Sequence, residues 1–333
     1  MTKDLLEGIP QATAVVIDWE PSLTFQQYLA KDSFGRTITF YLSQHVSDDK
    51  DMPVVVCIQG SGARSVFTKN ENNHWCGTNH DDYLNPLNGR ARLMLVEKPG
   101  VTLFDRGEGD ASNCSQEFLL EHTLERWTEA INCAIKSAQK LPGISKEKLL
   151  VVGHSEGAQV ATHVAFTNPT VTHVARMAGN GPTQLFDLLL AMQKDCALHS
   201  KDIPEDSPDY RTSTMATESV MHYWNEIVSD KDSITKFMAG HPYRRWYSFC
   251  SNSPMEDLLH CSAKLYMVHG TQDTSVPIVS FDVLLAELAA HNRLFTWERI
   301  EGVDHSFNVM LDDIFVESRF PEVVQRIVDW FLV

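Results

Sequence analysis

Long apolar runs are missing from this chain of 333 residues. None approaches the roughly 18–20 consecutive apolar residues that a membrane span needs, so no membrane partner is expected. The opening Met1-Thr2-Lys3-Asp4-Leu5-Leu6-Glu7 lacks the basic-then-apolar order of a secretory leader. Basic charge is also short: 28 Lys and Arg stand against 44 Asp and Glu, a formal net charge of −16. Nucleic acid and anionic membranes both reward clustered Lys and Arg, so neither is an expected partner. The acidic surface reads first as a solubility feature and does not imply a cationic substrate. Cysteine is sparse and scattered, seven in all, with Cys57 in a strand-like run and Cys133 in a helix-like one. That usage argues against a disulfide framework and for reduced thiols in a cytoplasmic protein. Cys250 and Cys261 are the pair best placed to bridge if any did. Repeats and low-complexity segments are absent. Apolar residues are abundant, at 43% of the chain, enough for a large core in one domain or one domain with an insertion. The oligomeric state is left open, with a homodimer as one option.

The chain begins as β structure. Ala14 to Trp19, Leu23 to Leu29 and Thr37 to Leu42 have strand composition. The last two alternate around the turn Asp32-Ser33-Phe34-Gly35, a hairpin signature. Pro53 to Ile58, Arg92 to Glu97 and Lys148 to Val152 are continuous apolar runs, as expected of strands covered on both faces. Val171 to Ala175, Lys264 to Val268 and Leu294 to Ile300 follow. Helical spacing alternates with them: Trp127, Ala130, Ile131, Ala134, Ile135 and Ala138, stopped by Pro142-Gly143, and then Gly157 to Phe166, Val279 to Ala290 and Pro321 to Leu332. The alternation predicts an α/β fold, a mostly parallel sheet with an N-terminal antiparallel hairpin and helices on both faces. Between Gly181 and about Leu259 the buried strand pattern stops. Helical stretches (Thr183 to Met192, Met215 to Ile227) are separated by polar loops such as Ser200 to Asp206. We expect a core of residues 1–180 and 260–333, and a helical cap of 181–259 over the sheet's C-terminal edge.

Chemistry concentrates at Leu149-Leu150-Val151-Val152-Gly153-His154-Ser155-Glu156-Gly157-Ala158. A strand pattern meets Gly-x-Ser-x-Gly and a helix pattern follows, which places Ser155 on a turn too tight for large side chains. A serine hydroxyl needs a base, and the base needs an orienting acid. Asp273 lies in a loop after the strand Leu265 to Val268, and His305 in a loop after the last strand, just before the final helices. Asp304 is the other candidate acid, but a sequence neighbour rarely points its carboxylate at the same imidazole. Asp273 has a rival role as a helix cap.

Three motifs in the order Ser155, Asp273, His305 resemble the α/β-hydrolase superfamily, most nearly its capped esterase, thioesterase and peptidase-like branches. The resemblance covers roughly residues 50–180 and 260–333. It implies the α/β-hydrolase fold, Ser155 as nucleophile, His305 as general base and then acid, and Asp273 as orienter of His305. The superfamily usually carries His-Gly-x-Gly after an early strand, where this chain has Gln59-Gly60-Ser61-Gly62. The comparison implies an oxyanion hole from the backbone N–H groups of Ser61 and Glu156, supported by Gly60 and Gly62. No cofactor is implied, and the partner expected is a small-molecule acyl substrate.

Other candidates surround this group. The long connection from Ala63 to Arg90 brings Trp75 and Tyr83 as pocket candidates. In His241-Pro242-Tyr243-Arg244-Arg245-Trp246-Tyr247, His241, Arg244 and Arg245 are candidates for holding a substrate carboxylate or phosphate, though the arginines can equally pair with the protein's own acids. Glu156 is read either as binder of a substrate amine, as in peptidase-like relatives, or as a solvent-facing first-turn residue favoured by the helix dipole. His74, Cys76 and His80 fit no common zinc spacing, so no metal is expected. A serine hydrolase acting on an ester is the leading expectation, with thioesterase or aminopeptidase as alternatives. A catalytically weak receptor or scaffold is the rival of another class.

Overall fold

Nearly every apolar run becomes a strand of one sheet, and the faces of those strands decide where the helices lie. The structure is a computed structural model that describes residues 13–17, 23–44, 51–77, 80–107, 111–199, 215–312 and 314–333. The N-terminal half holds β1 (Thr13–Ile17), β2 (Leu23–Lys31), β3 (Thr37–Ser43), β4 (Met52–Ile58), β5 (Phe67–Lys69), β6 (Trp75–Gly77), α1 (His80–Leu87), β7 (Arg92–Val96), α2 (Gln116–Glu121), α3 (Leu124–Ala138), β8 (Ile144–His154) and α4 (Glu156–Thr167). Next come β9 (His173–Met177), α5 (Gln184–His199), α6 (Ala216–Ser229), the two-residue strands β10 (Phe237–Met238) and β11 (His241–Pro242), α7 (Tyr243–Cys250) and α8 (Pro254–His260). The chain closes with β12 (Lys264–Gly270), α9 (Ile278–Ala290), β13 (Thr296–Ile300), β14 (Asn308–Leu311), β15 (Ile314–Ser318) and α10 (Phe320–Leu332).

Among the described residues the main sheet has nine strands in the order β1-β2-β3-β7-β4-β8-β9-β12-β13. From β7 onward all neighbours are parallel, and β1 to β3 join antiparallel. Side chains alternate across the strands. Val54, Val56, Leu149 and Val151 face a core shared with α3, α4, α8 and α9, whereas Val55, Leu150 and Val152 face a second core shared with α1 and α10. Burial on both faces explains why these strands read as unbroken apolar runs. β8 lies between β4 and β9, so its C-terminal end opens at the middle of the sheet edge.

Two connections differ from their expected form. The segment from Ala63 to Arg90 carries the β5–β6 hairpin and α1 rather than running as one long loop. Asn70 Oδ1 accepts from the amides of Asn72 and His74 and so builds the hairpin turn. The chain after His305 passes through the β14–β15 hairpin to a single helix, α10. Asp18 and Trp19 of the first expected strand, and the expected loop Ser200 to Asp206, lie outside the described residues. Among the described residues no cysteine forms a disulfide, Cys250 and Cys261 included.

Candidate active site

Ser155 stands where β8 turns into α4, at φ 58° and ψ −126°, a backbone region that residues with a side chain seldom adopt. Neighbouring glycines make the turn feasible. A Cβ on Gly153 would stand 1.9 Å from Gly157 O, and one on Gly157 would stand 2.3 Å from Gln59 O. The turn is fixed from both sides: Ser155 N donates to Met177 O at 2.9 Å, and Ser155 O accepts from Ala158 N at 2.9 Å.

Asp273 follows β12 with its side chain fully enclosed. Its Oδ1 accepts from the Ser275 and Val276 amides at 2.8 Å each, and its Oδ2 accepts from His305 Nδ1 at 2.7 Å. His269 Nε2 donates to Val276 O at 2.8 Å and lies 3.2 Å from the same Oδ2. Burial alone would raise the carboxyl, but hydrogen bonds from His269, His305 and the Val276 amide hold it well below the usual carboxylate range. Asp304 turns away, accepting instead from the Ser306 and Asn308 amides at 2.8 Å each. His154 Nε2 donates to His305 O at 2.8 Å, which ties the histidine loop to the residue before Ser155. Burial, helped by His305, pushes His154 down to about 4, so its ring is neutral at pH 7. Among the described residues no hydrogen bond joins Ser155 Oγ to His305. Such contacts often tighten only when substrate is bound.

Ser61 and Glu156 line the same cavity as Ser155, about 160 Å³ in volume, together with His241, Arg245 and Trp246. Gly60 passes close: a Cβ there would stand 3.4 Å from Ser155 Cβ. Gly62 has φ +91°, where a side chain would be strained. A larger cavity of about 340 Å³ adjoins through Ser61 and is lined by Gly60, Gly62, Tyr83, Lys98 and His154.

No protein-family model matches the chain, and no curated protein does. Solved structures do. Dipeptidyl peptidase 4 of Porphyromonas gingivalis superposes with a TM-score of 0.58 at 11% identity, over 92% of this chain and 35% of that one. An acylaminoacyl peptidase of Pyrococcus horikoshii gives 0.56 at 12%, over 93% and 41%. Est1E from Butyrivibrio proteoclasticus gives 0.54 at 14%, over 92% and 97%. The chain has the α/β-hydrolase fold. It spans little more than a third of the two peptidases and nearly all of Est1E.

Within this α/β-hydrolase fold several expected side chains lie elsewhere. Glu156 is neither solvent-facing nor open to a substrate amine, because only 4% of it is exposed. Its carboxylate accepts from Arg245 Nε at 2.9 Å, from Arg245 Nη2, and from His122 Nε2 at 2.7 Å. Burial would raise that carboxyl, but Arg245, His122 and Lys98 hold it well below the ordinary range. Arg245 thus lines the cavity while pairing with the protein's own acid. Arg244 points away from Ser155, donating to Leu120 O and Asp232 Oδ1 at 3.0 Å each, and lines a separate surface cavity. Trp75 packs edge-on against Phe104 at 4.6 Å between ring centroids, outside both cavities at the elbow. Tyr83 is buried beside the adjoining cavity, its hydroxyl 3.7 Å from Met177 Sδ. His80 is buried against the Phe25 and Phe67 rings, apart from any ligand set among the described residues.

Sequence reasoning passed over Lys98 and His122. Lys98 has a signal in hindsight: it is a cation directly after a buried strand, in Glu97-Lys98-Pro99-Gly100. Its ammonium is buried, donates to Gly60 O at 2.5 Å and Gly62 O at 2.6 Å, and sits 4.5 Å from the Trp127 ring centroid.

Proposed function

We propose that this protein is a serine hydrolase that cleaves a carboxylic ester or a related acyl bond through an acyl-enzyme on Ser155. The observation that carries the reading is the 2.7 Å bond from His305 Nδ1 to a buried Asp273, in a loop tied by His154 to the strained turn that bears Ser155. With Nδ1 committed as donor, Nε2 of His305 is the acceptor for the Ser155 hydroxyl proton. Ser155 Oγ attacks the carbonyl carbon, and the Ser61 and Glu156 amides receive the oxyanion. Protonated His305 gives its proton to the leaving oxygen as the C–O bond breaks. Water, deprotonated by His305, then attacks the acyl carbon; the bond to Ser155 Oγ breaks, His305 returns its proton to Oγ, and the acid leaves. The reading calls for no cofactor. Segment 181–259 serves as a cap, since residues of α5 and α7 line the cavity at Ser155.

An ester is the default substrate and a thioester the next. Amine recognition by Glu156 has lost its basis, because Arg245 and His122 occupy the carboxylate, so an aminopeptidase role rests only on likeness of fold. A fluorophosphonate probe with intact-mass readout tests the proposal. Wild type takes one label and Ser155→Ala takes none. Labelling that survives in Ser155→Ala, or tight binding of acyl compounds without turnover and unchanged by that substitution, would favour the receptor reading instead.

A further inference from the structure

Lys98 belongs to no step above, yet its ammonium touches the loop that is to hold the oxyanion. Only 3% of the residue is exposed. Two of its three N–H donors go to carbonyls two residues apart, Gly60 O and Gly62 O. The peptide group between Gly60 and Ser61 is planar and trans, so Gly60 C=O and Ser61 N–H point in opposite directions. Anchoring that carbonyl on Lys98 therefore aims the Ser61 amide away from the ammonium. Gly60 and Ser61 are the part of the loop nearest Ser155, as the near approach of Gly60 to Ser155 Cβ shows. Glycine at 60 and 62 leaves this segment few side-chain contacts of its own to hold its peptide planes. The cation supplies the missing restraint.

We propose that Lys98 is a positioning residue: it fixes the orientation of the 60–62 loop, and with it the Ser61 oxyanion donor, without touching substrate. The proposal rests on the serine hydrolase reading and deepens it. The electrostatic setting is mixed. Burial opposes the charged amine most strongly, Glu156 on α4 and Glu97 just after β7 favour it, and Arg64 and Arg245 on α7 oppose it. His122 faces the same cluster through Glu156. Burial outweighs the acids and brings Lys98 down to about 8. Above that pH the amine still donates, but its uncharged hydrogen bonds are roughly half as strong.

The test uses the full-length protein, 4-nitrophenyl acetate as substrate, and a trifluoromethyl ketone as oxyanion mimic. Lys98→Met keeps a straight apolar stem on Trp127 and removes both bonds. We expect kcat to fall on the order of 10–100-fold, short of the roughly 10²–10³ for deleting a donor outright. KM should stay within about twofold, and ketone binding should weaken by a factor similar to the fall in kcat. Wild type should show an alkaline fall in kcat near pH 8 that is absent from the variant. A folded Lys98→Met with unchanged kcat and ketone affinity, or one that changes KM alone, overturns the proposal. If the variant does not fold, a wild-type kcat that stays flat from pH 7 to 9.5 overturns it, and a fall near pH 8 supports it. Absence of Ser155-dependent labelling in wild type overturns the hydrolase reading, and the oxyanion role with it. Normal labelling with an indifferent Lys98 overturns only the positioning role.

Discussion

Two carboxylate–histidine pairs flank Ser155, each with a 2.7 Å contact: His305 with Asp273 and His122 with Glu156. Each carboxylate has a second partner, His269 for Asp273 and Arg245 for Glu156, and both carboxyls are held far down. Bond length therefore does not distinguish the pairs. Access does. The His305 side chain is 21% exposed, while those of His122 and Glu156 are 2% and 3% exposed. Among the described residues His122 Nδ1 is buried with no hydrogen-bond partner, so that ring is offered no group to which it could pass a proton. Under the proposed function the His305 pair would exchange a proton, while the Glu156 pair links α4, α7 and the residue that ends α2.

Asp273→Asn gives the largest expected effect on the comparison. Asparagine retains Oδ1 for the Ser275 and Val276 amides but offers His305 no negative charge and favours the wrong ring tautomer. We expect kcat to fall on the order of 10⁴-fold, with the melting temperature changed far less than by removal of Glu156. Ester-hydrolysis kinetics beside thermal melts would decide this. A variant that lost its fold but, where folded, kept its rate would reverse the roles assigned to the two pairs.

Glu156→Gln should show the opposite profile. It leaves the Arg245 guanidinium buried without its counter-ion, a change that typically costs about 3–5 kcal/mol. Folded variant should still react with a fluorophosphonate, because the backbone N–H at 156 is retained. The loss should also depend on pH. The Glu156 carboxyl is depressed by folding, so its stabilisation is complete above the unfolded value of roughly 4.3 and fades as pH falls below it. Denaturant melts at pH 7 and pH 3.5 should show a wide gap between wild type and variant at the first and a narrower one at the second. A gap that widened in acid would contradict the depressed carboxyl.

The same contrast governs what was readable in the chain. Ser155 and Asp273 each follow a strand with a clear apolar pattern, and His305 follows the mixed edge strand β13, so local sequence locates all three at one sheet edge. The partners of Glu156 carry no such local mark. Arg245 is 89 positions away and His122 is 34, and only the tertiary fold brings α7 and the end of α2 to the start of α4. Lys98 is legible as a cation after a strand, but its acceptors are carbonyls of another loop. Trp75 shows the limit of residue type: an aromatic in a long connection can line a pocket or pack inward, and Phe67 and Phe104 draw it inward. Hairpin β14–β15 escaped because its apolar residues, Leu311 and Ile314 among them, are exposed, leaving no one-sided alternation to detect.

Arg244 and Arg245 sharpen the contrast at its smallest scale, since adjacent arginines on one helix meet opposite surroundings. Successive helix positions lie about 100° apart, so α7 turns Arg245 toward Glu156 and Arg244 toward Asp232. Asp232 has a side chain 77% exposed, and water screens a pair of that kind to less than about 1 kcal/mol. Arg244→Ala should therefore shift the melting temperature by no more than a few degrees and leave kcat and KM for 4-nitrophenyl acetate within about twofold. Arg245→Ala should behave like Glu156→Gln, because it strands the other member of the buried pair. If Arg244→Ala instead raised KM tenfold, α7 would have to present its other face to substrate, and the proposed separation of a working flank from a holding flank would fail at that helix.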